Sequence, residues 1–223
     1  MKPNRFMLAL AALCFAAGGA SAQQTDGKSV APKTYKAYMV SDAHLDTQWN
    51  WDVQTTIREY IPRTLFQNLY LMERFPDYRF SFEGGVVYSW MKEYYPMHYE
   101  RMKKYIASGQ WHIAGASWDA NDPNMPSAES FFRNILLGQE FYKKEFGVRS
   151  TDIFLPDCFG FGYTLPSLAA HCGLIGFSTQ KLSWRKHDFF PDAPYHKKNP
   201  FSWGVWYGID GQSLMEAFDP GGY

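Results

Sequence analysis

Two short stretches carry residue types able to do chemistry together. In His44-Leu45-Asp46 an imidazole and a carboxylate stand two residues apart. Residues i and i+2 of an extended segment point to the same side, so the two side chains converge. A ring nitrogen and a carboxylate oxygen are the beginning of a zinc site, since zinc takes His and Asp and prefers four ligands. Such a pair also serves as an ordinary hydrogen-bonded loop. The second stretch is Ile153-Phe154-Leu155-Pro156-Asp157-Cys158-Phe159-Gly160-Phe161-Gly162. Its apolar start reads as a buried strand. Pro156 and Gly160 keep a helix from forming through the turn. Asp157 is thereby placed at the carboxyl end of a strand in a strand–loop–helix unit, where α/β proteins put catalytic groups. It is a third candidate metal ligand, or an acid that caps the helix beginning near Leu165. Trp49 and Trp51 follow the first pair and either wall a pocket or fill a core.

Strands must deliver these groups, and the chain alternates strand with helix. Strands are predicted at Lys36–Ser41, Tyr78–Phe82, Trp111–Ala114, Asp152–Leu155 and Ile175–Ser178. Helices are predicted at Thr55–Phe75 and Val86–Ala107, and a third runs from the Ser127 cap to Phe146, where Gly147 ends it. A hairpin of Phe201–Trp206 with Ser213–Ala217 is expected around Gly208-Ile209-Asp210-Gly211, after a proline-bearing loop at Asp188–Pro200. The alternation implies an α/β fold with a parallel sheet or barrel. Four successive strand ends then carry polar groups: His44 and Asp46, Glu83, Asp119 and Asp122, and Asp157. In a parallel barrel all of these emerge on one face. His98, His112 and His171 fall on predicted elements and read as structural, while His187 and His196 lie in or beside the proline-bearing loop.

The chain has 223 residues, of which 46% are hydrophobic and 18% aromatic, enough for one sizeable core. Lys and Arg balance Asp and Glu, and no basic run is long enough to track phosphates, which argues against nucleic acid as a partner. Lys2 and Arg5, the apolar Phe6–Ala17 and the small-x-small Ala20-Ser21-Ala22 form a secretory signal, cleaved after Ala22. Residues 23–34 read as a flexible lead-in to the folded part, 35–223, with no membrane span in the mature chain. An exported protein, periplasmic or secreted, is expected. Cys158 and Cys172 would then meet an oxidising space that permits a disulfide.

Four blocks together resemble the amino-terminal catalytic domain of glycoside hydrolase family 38, the zinc-dependent retaining α-mannosidases. They are His44-Leu45-Asp46-Thr47-Gln48-Trp49, Asn124-Met125-Pro126-Ser127-Ala128-Glu129-Ser130, Leu155-Pro156-Asp157-Cys158-Phe159-Gly160 and Phe177-Ser178-Thr179-Gln180-Lys181-Leu182-Ser183-Trp184. The resemblance runs from about Tyr35 to the last residue. It implies a seven-stranded, distorted (β/α) barrel, incomplete in this chain, that binds one zinc ion at the carboxyl ends of its strands. It makes His44, Asp46 and Asp157 metal ligands, with Asp157 also the nucleophile. It places Trp49 and Phe159 along the mannose subsite and Lys181 as a basic residue close to it. The implied partner is a mannose-containing oligosaccharide or glycoprotein glycan. A retaining glycosidase needs a carboxylate nucleophile and a second carboxyl group about 5–5.5 Å away.

The same resemblance places a fourth ligand, a histidine, and an acid/base aspartate beyond residue 223. The fragment alone is therefore expected to be inactive or nearly so. Two other readings stay open. A metal-dependent polysaccharide deacetylase also carries Asp and His at barrel strand ends, but the His-x-x-x-His pair usual there is missing from the mature sequence. A non-catalytic sugar binder would use Trp49, Trp51, Trp118 and Phe159 as stacking platforms.

Overall fold

The computed structural model describes residues 34–181 and 202–218. The expected signal segment, nearly all of the expected lead-in, and the proline-bearing loop with His187 and His196 lie outside the described residues.

Three strands, β1 (Ser41–Ala43), β2 (Phe80–Phe82) and β3 (Trp111–Ile113), form a parallel sheet in that order. Ala43 pairs with Phe82, and Phe82 with Ile113, so the three strands end level with one another. A second sheet holds β4 (Asp152–Phe154), β5 (Gly176–Thr179), β6 (Trp203–Tyr207) and β7 (Ser213–Phe218) in the order β4-β5-β7-β6. In it β4, β5 and β7 are parallel, and β6 returns antiparallel as the hairpin partner of β7. Between β3 and β4 the link is a side chain: the Gly115 amide donates to Asp152 Oδ2 at 3.2 Å. The architecture is α/β, an incomplete parallel (β/α) barrel, as expected.

The first strand lies later than predicted. Tyr35 to Val40 are exposed and make no ladder, and pairing begins only where the Ser41 amide donates to Arg79 O at 3.1 Å. A strand needs a neighbour and a buried face, and residues 36–40 have neither among the described residues. The predicted helix Val86–Ala107 is two helices, α3 (Gly85–Tyr94) and α4 (Pro96–Ser108). Pro96 supplies no amide and pushes Tyr95 out of the helical region, to φ −132° and ψ 49°. The proline then opens the next helix at its first position, where a missing donor costs nothing.

The chain between β1 and β2 winds continuously through α1 (Val53–Thr55), a π turn (Thr56–Tyr60) and α2 (Ile61–Arg74). Thr56 is buried in that π turn, accepting from Trp51 Nε1 at 2.7 Å and donating to Thr47 O at 2.9 Å. Helix α5 (Ala128–Phe146) starts as predicted, with the Ser130 amide donating to Ser127 Oγ at 3.2 Å, and stops at Gly147 with φ +72°. Helix α6 (Leu165–His171) follows the Asp157 loop.

Side chains collect in two cores. One joins α2, α3 and α4 to β2 and β3 through Ile61, Leu65, Leu69, Tyr88, Met102 and Trp111. Its buried polar atoms are matched: Trp111 Nε1 donates to Tyr88 Oη at 2.8 Å, and that hydroxyl donates to Phe82 O at 2.9 Å. The other packs α5 and α6 on β4, β5 and β7 through Phe131, Ile135, Ile153, Leu165, Phe177 and Leu214. The inward residues of β2, β3 and β4 thus hold their strand ends at fixed heights. No helix among the described residues is long and apolar enough to cross a membrane.

Candidate active site

The loops after β1, β2, β3, β4 and β5 bring the expected polar groups to one end of the sheets. His44 and Glu83 each follow the last paired residue of their strand, Ala43 and Phe82. They meet directly, with His44 Nδ1 2.5 Å from Glu83 Oε1, and the other ring nitrogen, Nε2, lies 3.1 Å from Asp46 Oδ1. Asp157 closes the group: one ligand atom each from His44, Asp46 and Asp157 all lie within 4.8 Å of one another. One imidazole nitrogen and two carboxylates converging in this way are a donor set suited to zinc. Glu83 stands behind the histidine rather than in the group.

Lys181, predicted near the site, is there. Its Nζ lies 2.7 Å from Asp157 Oδ1, an ion pair whose approach is off the hydrogen-bonding direction, and 5.1 Å from the centre of the Phe159 ring. The ammonium is buried and the carboxylate partly so, which strengthens their attraction relative to a surface pair. Phe159 and Trp49 are exposed, at 69% and 72%. Trp49 stands edge-on to Trp51 at 5.8 Å, and Trp51 leans on Tyr60. Trp118 is packing material instead: it lies against Phe141 at 5.5 Å and fills the space over Gly85.

The loop between β3 and α5 is tied to this site at several points. Thr47 Oγ1 donates to Asp119 Oδ2 at 3.4 Å, and Asn134 grips the Asp119 backbone through both ends of its amide. The Cys158 thiol donates to Asn121 O at 3.0 Å, and Asn124 Nδ2 to Gly160 O at 2.8 Å. Asp122 turns away to accept the Asn124 amide in its own loop. Cys158 and Cys172 are both unpaired thiols, so the disulfide allowed by an oxidising compartment is not formed. Cys158 is occupied by the Asn121 carbonyl, while Cys172 caps the end of α6. Of the three histidines read as structural, His171 has Nε2 3.1 Å from Asp210 Oδ2 and His98 lies against the Phe66 ring, while His112 is exposed on β3.

Electrostatics follow from burial and neighbours. Burial, the largest single influence on His44, disfavours its charge, but the Glu83 and Asp46 carboxylates together outweigh it and lift the imidazole to about 9. Burial likewise raises Asp119 above the ordinary carboxylate range. The Cys158 thiol is pushed up to about 12 by burial and by nearby acids, which keeps it protonated and unreactive. In the sequence Glu83 and Asp119 stand out only as strand-end acids; it is the level ends of β1 and β2 that put Glu83 beside His44.

Residues 34–223 match the N-terminal domain of glycosyl hydrolases family 38. Alpha-mannosidase G of Dictyostelium discoideum is 37% identical over 185 residues, covering 83% of this chain and 16% of the relative. Human alpha-mannosidase 2C1 is 33% identical over 207 residues, covering 93% of this chain and 19% of the relative. The chain thus spans less than a fifth of the length of these curated relatives. An alpha-mannosidase from Enterococcus faecalis shares the fold with a TM-score of 0.67 at 23% identity, covering 81% of this chain and 20% of that one. The chain belongs to glycosyl hydrolase family 38, as part of its N-terminal domain.

Proposed function

We propose that this chain carries the nucleophile and three zinc ligands of an exported, retaining α-mannosidase that removes terminal α-linked mannose from glycans. The observation that carries the reading is the convergence of His44, Asp46 and Asp157 within 4.8 Å, in a chain of a family whose relatives are alpha-mannosidases. In this reading His44, Asp46 and Asp157 hold the zinc ion. When bound, the ion supplies a positive centre that orients adjacent sugar hydroxyls and favours a distorted ring. Asp157 attacks the anomeric carbon as the bond to the leaving oxygen breaks. A second carboxyl group gives that oxygen a proton, then takes one from the water that hydrolyses the glycosyl-enzyme. Lys181, 2.7 Å from Asp157, holds the nucleophile in its aim. Trp49 and Phe159 offer exposed aromatic faces for the sugar.

Glu83 is spent on His44 and Asp119 on Thr47, so neither is placed to serve as the acid/base. We therefore expect residues 23–223 alone to be inactive, and the acid/base and fourth ligand to come from the rest of the domain. Family membership favours mannoside hydrolysis over deacetylation. Residues 1–22 serve as the export signal in this reading.

The test uses the native protein purified from its source. Hydrolysis of an aryl α-mannoside, lost on chelation and in Asp157→Ala, is the expected result. Activity that survives Asp157→Ala overturns the nucleophile assignment, and release of acetate from an acetylated polysaccharide overturns the reaction class. Mannoside hydrolysis by residues 23–223 alone, abolished by Asp157→Ala, would overturn the expected inactivity of the piece.

A further inference from the structure

We propose that Glu83 is a positioning residue for metal binding: its buried carboxylate sets the His44 ring so that Nε2, and not Nδ1, faces Asp46 and Asp157. The inference rests on the reading that these three residues hold a divalent cation. A neutral imidazole has two tautomers, and only the one protonated at Nδ1 leaves the Nε2 lone pair for a metal. Glu83 Oε1 lies 2.5 Å from His44 Nδ1, and its side chain is 6% exposed. A carboxylate there selects the Nδ1–H tautomer and fixes the ring about its χ angles.

Strand register makes the pairing unavoidable. Ala43 and Phe82 are the last partners of the β1–β2 ladder, and His44 and Glu83 are the next residue on each strand. Two glycines then let the backbone crowd the carboxylate. Gly84 turns sharply away with φ +89°. Gly115, at φ +66°, passes so close that a side chain there would stand 3.5 Å from Glu83 Oε2 and 3.4 Å from the Phe154 backbone. With 12% of the His44 side chain and 6% of Glu83 exposed, the bond between them is largely shielded from water.

The test is a zinc titration of the chain against a chromogenic chelator, with the visible spectrum of the cobalt(II)-loaded protein as a second readout. Outer partners of metal-bound histidines are worth roughly 10- to 100-fold in affinity, and a loss of that size is expected for Glu83→Ala. Glu83→Gln keeps an acceptor without the charge and should fall in between. Both should shift the cobalt bands, because the ring is no longer held. A purely structural role would lower thermal stability and leave affinity and spectrum alone. Should Glu83→Ala not fold, Glu83→Gln decides: affinity within about twofold of wild type, far inside the span such partners command, with unchanged bands, overturns the proposal. Failure of the wild-type chain to bind zinc is a different result, since it removes the metal reading itself.

Discussion

Replacing Gly138 by alanine tests how the loop carrying Asp119 is held. At an open helical position this change stabilises, by about 1 kcal/mol, because alanine is the better helix former. Here the new methyl would lie 2.2 Å from Ala116 O, 2.5 Å from Ser117 C and 2.7 Å from Trp118 N. Comfortable contacts begin near 3.5 Å, so helix or loop must retreat by about 1 Å. The loop resists, since the Trp118 amide donates to Asn134 O at 2.9 Å, the Asp119 amide to Asn134 Oδ1 at 3.0 Å and Tyr142 Oη to Ser117 O at 3.1 Å. Weakening two or three such bonds costs about 2–3 kcal/mol. Overpacking strain adds about 1–3 kcal/mol. After the propensity gain, a net loss of about 3 kcal/mol is expected, which for a chain of this size lowers Tm by roughly 6–12 °C. Thermal unfolding followed by circular dichroism reads it directly. A Tm equal to or above wild type would refute the close approach of α5 to the loop.

Further predictions follow from groups already described. The imidazole of His44 is lifted to about 9 by Glu83 and Asp46 despite its burial, so zinc must displace a proton from Nε2. Apparent zinc affinity should therefore rise about tenfold per pH unit between pH 6 and 8 and flatten near 9; a pH-independent titration would contradict it. Tyr88→Phe removes the hydroxyl that joins Trp111 Nε1 to Phe82 O; the carbonyl keeps the Ala114 amide, but the indole N–H is stranded in the core. Denaturant unfolding should show a loss of about 1–3 kcal/mol, and a neutral result would mean that water or a shift satisfies the indole.

Much of the architecture was legible because periodicity and punctuation are local. Ser127 and Gly147 bound α5 as their types require, and Gly208 to Gly211 make the turn between β6 and β7. The break at Pro96 was legible in principle, but the apolar rhythm on either side suggested one helix. The first strand was misplaced because Lys36–Val40 alternate like a strand while only Ser41–Ala43 find a partner. That depends on β2, some forty residues away, which no local pattern encodes. Among the site residues, His44 and Asp46 were readable as a pair from spacing alone. Asp157 was readable as a third candidate from its place at a strand end, whereas the nearness of Lys181 to the site came from resemblance alone, and its attachment to that carboxylate was legible from neither. Glu83 was visible as an acid at a strand end, yet its partner is fixed by register across two strands, a long-range property.

The π turn at Thr56–Tyr60 has a mechanical consequence. A π turn holds an extra residue relative to an α turn, so the helix before it and the helix after it are out of phase. Downstream, Ile61, Leu65, Leu69 and Met72 stay seated in the core. Upstream, Thr56 faces back to grip Trp51 and Thr47, the residues flanking Trp49 and next to Asp46. The turn acts as an adaptor between two angular settings. Removing one residue there would rotate the upstream grip by about 100° while the apolar stripe kept its place. Changes of length in this turn, rather than changes of side chain, would retune the metal-side loop, and of the core they would disturb first Ile57, which the turn itself carries.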